Sequence, residues 1–156
     1  MSAPSEAPAG ARGDAEYVTF RVADQWLGIP VVTVQEVLTA ERIARVPLAP
    51  AEVAGFLNLR GQIVSAIDLR VRMGLPGRPK NQRFMNVVVR DRDELFSFLV
   101  DEVGDVQTVG AEGLERPPAT LDPRWRQVCD GVVRRKDDLL VSVNAVKLLN
   151  LGDAVQ

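Results

Sequence analysis

The sequence predicts a mainly β fold made of two small barrels in one compact body, with a few short helices. Apolar residues make up 46% of the 156 residues but aromatic residues only 5%, so the core has to be built from Val, Leu, Ile and Ala. Val is frequent among them and favours strands. Short apolar segments also recur between polar turns, whereas segments with a helical period are few and brief.

The first half of the chain contains a predicted hairpin and a later strand. Residues 17–22 alternate between apolar and polar, which predicts a half-buried strand, and residues 26–29 predict its returning partner. Residues 31–38 fit either a strand or a short helix, and both remain open at this stage. Residues 51–57 favour one or two helical turns, after which residues 62–67 predict a strand.

The second half repeats a strand, turn, strand order. Residues 84–89 and 95–100 are apolar on both faces, which is typical of strands covered on each side by other parts of the protein. Two more strands are expected near residues 127–133 and 139–143. The number and spacing of the strands, with few and short helices, again indicate two small barrels in one compact body.

Two polar residues are placed to cap helices. Asp68 can accept hydrogen bonds from the free N–H groups of a short helix that ends near residue 73. Asn144 can do the same for a last helix over residues 145–151, which Gly152 is expected to end.

We expect one domain between two tails. Residues 1–15 are rich in Ala, Pro, Gly and Ser, which predicts a disordered tail, and residues 151–156 form a short tail at the other end. Helix breakers and charges over residues 75–81 suggest a junction, with lobes over 16–80 and 81–150. The first tail lacks the features of a secretory signal, and no apolar run could span a bilayer, so we expect a cytoplasmic protein without direct membrane insertion.

The residue types exclude most catalytic chemistry. The chain has no His and a single Cys, Cys129, which is expected to be a small core residue. Asp101, Glu102 and Asp105 form the densest acidic group, able to bind a cation or act as an acid pair, but a solvated turn is the favoured interpretation. No phosphate-binding glycine loop is present. We therefore expect no catalysis, no cofactor and no metal.

The charge balance argues against nucleic acid as a partner. The chain carries 19 basic and 21 acidic residues, for a net charge of −2, and has no basic run interleaved with aromatics. Scattered surface charge is the simplest interpretation of one local group of basic residues: Arg124, Arg126, Arg134, Arg135 and Lys136.

The most informative segment runs from Gly55 to Arg70 and places Arg60 at a glycine-flanked turn before an apolar strand. Gly55 and Gly61 permit backbone angles that other residues resist, and the strand anchors the turn. Arg60 therefore reads as a contact residue on a rigid base. Taken alone, the segment fits a structural turn with a solvated Arg even better.

This segment resembles the motif of CheW-like domains, the coupling proteins of bacterial chemotaxis. Residues 34–38 (VQEVL) and 99–104 (LVDEVG) resemble two further segments of that family, and the resemblance covers about residues 16–150. It implies a pair of SH3-like five-stranded β-barrels around a hydrophobic interface, with terminal segments able to cross between lobes. It also implies a scaffold that binds the regulatory domain of the CheA histidine kinase and the cytoplasmic tip of chemoreceptors.

The resemblance also assigns partner-binding residues, with Glu36 expected to point outward while its neighbours pack inward. Ser65 and Asn144 depart from the family pattern, where Pro and Asp are often found. The alternative from another class is a small-barrel module that binds nucleic acid or a ligand, which the acidic balance and scarce aromatics disfavour. The expected partner-binding residues are Glu36, Gly55, Asn58, Arg60 and Gly61.

Overall fold

The computed structural model describes residues 14–39, 43–45, 47–79 and 81–154, with the side chains of 111 and 151–154 excepted. Within these ranges the chain forms ten strands and three α-helices, so the mainly β prediction is confirmed. The strands are β1 (Ala15–Val22), β2 (Gln25–Pro30), β3 (Val34–Thr39), β4 (Val53–Leu59), β5 (Gln62–Asp68), β6 (Met85–Asp91), β7 (Glu94–Val100), β8 (Glu102–Val109), β9 (Cys129–Arg134) and β10 (Leu139–Val143). The helices are α1 (Leu69–Arg72), α2 (Pro123–Arg126) and α3 (Ala145–Ala154), joined by 3₁₀ turns at Val31–Thr33 and Ala111–Gly113.

The strands form two five-stranded sheets that are interleaved along the chain. Sheet I has the order β8-β1-β2-β10-β9, and sheet II has the order β3-β6-β7-β5-β4. Each sheet contains one parallel pair that joins distant segments: β2 with β10, and β5 with β7. Each half of the expected division, about 16–80 and 81–150, contributes strands to both sheets, so the two sheets do not follow those bounds. The helix breakers near residues 75–81 lie in the connection between α1 and β6.

The closed SH3-like barrel is not confirmed for either sheet. In each sheet the first and last strands of the order are not paired with each other. A single bridge in the described residues joins the last strand of the order to the chain segment that follows the first strand of the order. In sheet II the segment after β3 meets β4 through Ala44 and Phe56, with N···O distances of 2.7 and 2.8 Å. In sheet I the segment after β8 meets β9 through Glu115 and Val132, at 2.8 Å in both directions.

The largest buried cluster joins the two sheets. Phe20 and Leu27 of sheet I, Val87 and Phe98 of sheet II, and Trp125 of α2 all belong to it. Burying a large apolar side chain contributes about 1.5–3 kcal/mol, so contacts across the sheets are a main source of stability.

Each sheet also has an apolar cluster of its own. Val87 and Val89 belong to the shared cluster, whereas Val88 between them belongs to the cluster of sheet II. Tyr17 and Leu140 belong to the corresponding cluster of sheet I. Since side chains alternate along a strand, the central strands serve two cores, which explains why the sequence is apolar on both faces there.

Several local predictions differ from the structure because long-range pairing overrides local preference. Residues 51–57, expected to be helical, instead supply most of β4, which pairs with β5 in the register Phe56 with Ser65. Residues 31–38, left open above, form a 3₁₀ turn followed by β3. The strand β1 is expected to be half-buried, but Tyr17 and Thr19 on its polar face are buried as well: Tyr17 belongs to an apolar cluster, and the Thr19 hydroxyl donates to the Asp105 carbonyl at 2.6 Å.

The ends of the domain also differ from expectation. Residues 1–13 of the predicted first tail lie outside the described residues, and Ala15 already belongs to β1. Gly152 does not end the last helix, which continues to Ala154 into the predicted second tail. With ten residues, α3 is the longest described helix, and no described helix could cross a membrane.

Candidate partner-binding site

The turn that carries Arg60 is a two-residue hairpin loop between β4 and β5. Leu59 pairs with Gln62, so Arg60 and Gly61 are the loop residues, with φ angles of 49° and 87°. Positive φ at both positions is what a type I′ turn requires, and Gly is the usual second residue. The side chain of Asn58 accepts a hydrogen bond from the Gly61 N–H at 2.9 Å. The predicted rigid turn is thus present, and Arg60 is held on it with 69% of its side chain exposed.

Both terminal nitrogens of the Arg60 guanidinium donate hydrogen bonds to the carboxylate of Glu36 in β3. Nη2 donates to Oε1, and Nη1 donates to Oε2 at 3.2 Å. Such a two-point contact fixes the orientation of both groups as well as their distance. Spacing along the sequence did not predict this contact, because 24 residues separate the two side chains.

Val34 and Leu38 of β3 pack against the apolar clusters as expected, but Glu36 and Val37 have the opposite orientation to the expected one. A bulge between Val34 and Glu36 shifts the register against β6. Glu36 is half-buried and its side chain is 23% exposed, whereas Val37 is exposed. The acid therefore lies on the face that packs, and an aliphatic side chain lies on the face that meets solvent.

The Glu36–Arg60 pair connects the two opposite edges of sheet II. Glu36 belongs to β3 at one edge, and Arg60 follows β4 at the other. The bridge between Ala44 and Phe56 joins the same two edges through the backbone. The sheet is therefore curled so that its two edges meet. In the described residues one backbone bridge and one ion pair join these edges, and the edge strands are not otherwise paired.

The contact between Glu36 and Arg60 changes the pKa of both groups. The hydrogen bonds from Arg60 hold the pKa of Glu36 below its ordinary value near 4.5, and the same contact raises the pKa of Arg60. Both groups stay ionised around neutral pH. Because Arg60 is largely exposed, solvent screens the interaction and its share in fold stability is small.

Gly55 lies in the same strand as the turn but not on its surface. It is buried, with φ of 147°, and a Cβ built there would lie 2.2 Å from the carbonyl oxygen of Ala44 and 2.9 Å from Ile43. The expectation that Gly55 sits at a turn is therefore wrong. It is the position where the segment at residues 43–45 crosses closely over β4, which only glycine permits.

The two departures from the family pattern are accommodated locally. Ser65 is half-buried in β5, where its backbone pairs with Phe56 on one side and Phe96 on the other. Asn144 caps α3 as expected, since its side chain accepts from the Lys147 N–H at 3.1 Å.

A second charged group, which the sequence did not reveal, lies between the sheets. Asp101 has a fully buried side chain that accepts from Arg70 at 2.8 Å, from Arg78 at 3.0 Å and from the Ala23 N–H at 2.7 Å. Burial alone raises the pKa of Asp101, but these hydrogen bonds together lower it below the ordinary value. We call Asp101, Arg70 and Arg78 the Asp101 cluster.

The Asp101 cluster overturns the interpretation of the acidic segment as a solvated turn. Glu102 and Asp105 lie in β8, and Glu102 pairs with Arg21 at 3.0 Å. The three acids thus have separate surroundings, and the described residues contain no group of three potential metal ligands. The signal in the sequence was the placement of Asp101 directly after an apolar strand, whose last four residues are buried.

Three of the five residues in the basic group near the end of the chain are paired with acids. Arg124 pairs with Asp122, Arg134 pairs with Glu115 at 3.2 Å, and Arg135 pairs with Asp138 at 2.6 Å. The hydrogen bonds from Arg135 lower the pKa of Asp138. These pairings agree with scattered surface charge rather than a phosphate-binding strip.

Comparisons with known proteins agree with the resemblance seen in the sequence. The probable chemotaxis protein CheW of Rhizobium etli is 30% identical over 122 residues, covering 78% of this chain and 79% of that protein. Protein FrzA of Myxococcus xanthus is 38% identical over 162 aligned residues, covering 99% and 94%. The crystal structure of the scaffolding protein TtCheW from Thermoanaerobacter tengcongensis gives a TM-score of 0.73 at 26% identity, covering 83% and 88%.

A family model places these likenesses in one group. The model of the CheW-like domain matches residues 16–152, which include both sheets and most of α3. This match spans nearly all of the described residues, so the chain belongs to the family of CheW-like domains.

Proposed function

We propose that this protein is a non-catalytic chemotaxis adaptor that couples the cytoplasmic tips of chemoreceptors to a CheA-type histidine kinase at the inner face of the membrane. Family membership supports the proposal, since relatives are named chemotaxis proteins and one solved structure is named a scaffolding protein. The observation that carries it is the Glu36–Arg60 pair, which presents an ordered charged contact on a rigid turn.

The surroundings of this pair suit a protein partner. Ile63 lies across the hairpin from Asn58 and is 65% exposed, and Val37 follows Glu36 in β3, with its side chain exposed on the other face of that strand. Exposed aliphatic side chains beside an ordered charge supply apolar area together with a contact that fixes register. A helical receptor tip, with apolar residues on one face, is a ligand of this kind.

The residues that bind partners are proposed to have two kinds of role. Arg60 and Glu36 contact the partner through the exposed part of their side chains. Asn58, Gly61 and Gly55 act indirectly, because they hold the turn and permit the close crossing of the segment at 43–45.

Binding measurements with purified components test this function. The chain is mixed with a CheA regulatory domain and with a receptor-tip fragment, singly and together, and complexes are measured by calorimetry and sedimentation. Simultaneous binding of both partners is expected of an adaptor. Binding of neither partner contradicts the proposal, and tight binding of single-stranded nucleic acid instead supports the alternative module.

A further inference from the structure

A cavity of about 360 Å³ lies between α3 and the hairpin of β6 and β7, away from the Glu36–Arg60 pair. Its volume is at the lower end of the roughly 300–1,000 Å³ typical of ligand clefts. Ile67, Phe96 and Leu149 supply apolar wall, and Val146, 47% exposed, lies at its margin. The other five lining residues are polar or charged, so the cavity suits a ligand that combines a short aliphatic part with a polar end.

Arg72 lines this cavity and lacks a satisfactory partner. Its side chain is only 8% exposed, and its Nε has no hydrogen-bond partner among the described residues. The nearest carboxylate oxygen, on Glu52, is 4.0 Å from Nη1, at the outer limit of an ion pair. A buried charged donor without an acceptor is costly, so this site favours binding of an acceptor from outside.

Arg78 provides an instructive contrast. Its Nη2 also lacks a well-aligned hydrogen bond, but it lies 2.9 Å from Asp101 and its Nε donates to the same carboxylate. The charge of Arg78 is thus compensated inside the protein, whereas that of Arg72 is not.

The charges around the cavity indicate which acceptor fits. Arg72 and Arg92 contribute two positive charges, and Asp91 and Glu94 contribute two negative ones. A ligand with one negative charge can pair with Arg72 and meets about half the repulsion from the two acids that a doubly charged phosphate meets at the same place. The amide of Asn150 supplies a further neutral donor at the cavity wall.

We propose that this cavity receives the carboxylate of an acidic side chain from a partner protein, with Arg72 as the recognising residue. The aliphatic stem of a glutamate packs against the apolar wall, and its carboxylate supplies the acceptor that Arg72 lacks. The choice of a protein partner rests on the proposed adaptor function and on the position of the cavity beside exposed Val146.

A small probe tests the site independently of any partner. The Nε–Hε signal of Arg72 is followed by NMR in the full chain during titration with N-acetylglutamate amide, and the signal is assigned by its loss in Arg72→Lys. We expect saturable shifts with Kd of about 1–10 mM, weaker shifts with inorganic phosphate, and none with N-acetylglutamine amide. Equal shifts with the glutamine probe, tighter binding of phosphate, or no shift at about 100 mM overturns the assignment.

Partner binding tests the second half of the inference. Arg72→Met keeps similar bulk without charge, and Arg90→Met is the control, since Arg90 is exposed on β6 and does not line the cavity. We expect Arg72→Met to weaken binding of the receptor tip or of the kinase domain about tenfold, and Arg90→Met to leave both unchanged. Arg72→Lys is measured as well, in case the Met variant does not fold.

The outcomes separate this inference from the proposed function. If wild type binds both partners and the Arg72 variants bind them equally well, the acidic side chain is not the occupant and the adaptor function stands. If wild type binds neither partner, the adaptor function fails, and the partner half of the inference fails with it.

Discussion

Two arginine–carboxylate groups of this protein have the same chemistry and opposite surroundings. In the Glu36–Arg60 pair the Arg60 side chain is 69% exposed, whereas in the Asp101 cluster the carboxylate is 0% exposed. Water screens the first pair, so little fold stability depends on it and its groups remain open to a partner. Removing one member of the buried cluster leaves uncompensated charge, so that cluster belongs to the fold.

The Glu36–Arg60 pair and the Asp101 cluster also differ in which parts of the fold they join. The Glu36–Arg60 pair joins two edges within sheet II, whereas Asp101 links the turn after β1 in sheet I, through Ala23, to Arg70 and Arg78 beside sheet II. One pair shapes a surface of a single sheet, and the other holds two interleaved sheets together.

The largest expected effect is therefore on stability and comes from Asp101→Asn. Loss of the charge leaves Arg70 without its carboxylate and Arg78 with only Asp68, 3.3 Å away, and we expect the free energy of unfolding to fall by about 3–5 kcal/mol. Chemical denaturation measures the change, with Asp105→Asn as the control because Asp105 is exposed in the neighbouring strand. A loss as small as that of the control contradicts the role given to the cluster.

The next largest expected effect is the loss of stability in Gly55→Asp. This variant tests whether Gly55 serves the fold rather than the surface near the turn. The added Cβ overlaps the carbonyl of Ala44, and φ of 147° strains any side chain, so we expect a loss of about 2–4 kcal/mol. Gly77→Asp is the matched control, since a Cβ there meets nothing within 4 Å. Equal melting temperatures for the two variants contradict the close crossing.

Arg60→Ala is expected to have the opposite signature, with binding affected and folding spared. An exposed arginine leaves no cavity when truncated, while interface arginines are frequent hot spots, so we expect partner affinity to fall about 30-fold. Arg134→Ala is the control, because Arg134 has similar exposure in a comparable ion pair with Glu115 on sheet I. Equal partner binding by the two variants places the contact surface elsewhere.

Reversing the charge in Glu36→Lys extends this test to the other side of the pair. The variant places two cations together at the meeting edges of sheet II, and we expect receptor-tip affinity to fall more than thermal stability does. Affinity and melting temperature are measured for Glu36→Lys and for the exchanged pair Glu36→Arg with Arg60→Glu. Recovery of stability without recovery of affinity in the exchanged pair identifies the charges as partner contacts.

The sequence predicted the features that depend only on residues close together in the chain. The hairpin at Arg60 and the caps at Asp68 and Asn144 are local, and each is present. The contact of Glu36 with Arg60 and the burial of Asp101 depend on how the sheets pair across tens of residues, and no periodicity encodes such pairing.

The smallest expected effect is the dependence of stability on acid pH, and one pH titration measures it for both charged groups. The pKa of Asp101 in the folded protein is below its ordinary value near 3.8, so the stability it contributes is fully present above that value and is lost as pH falls through the lower folded value. The pKa of Glu36 is also lowered, but its pair is screened by solvent, so its share of this loss is smaller. Unfolding free energies of wild type, Asp101→Asn and Glu36→Gln are compared between neutral pH and about pH 3. We expect the difference in unfolding free energy between wild type and Asp101→Asn to become smaller toward acid pH, and the difference between wild type and Glu36→Gln to stay small at every pH. A difference for Asp101→Asn that does not change with pH contradicts an ionised Asp101 as the source of stability.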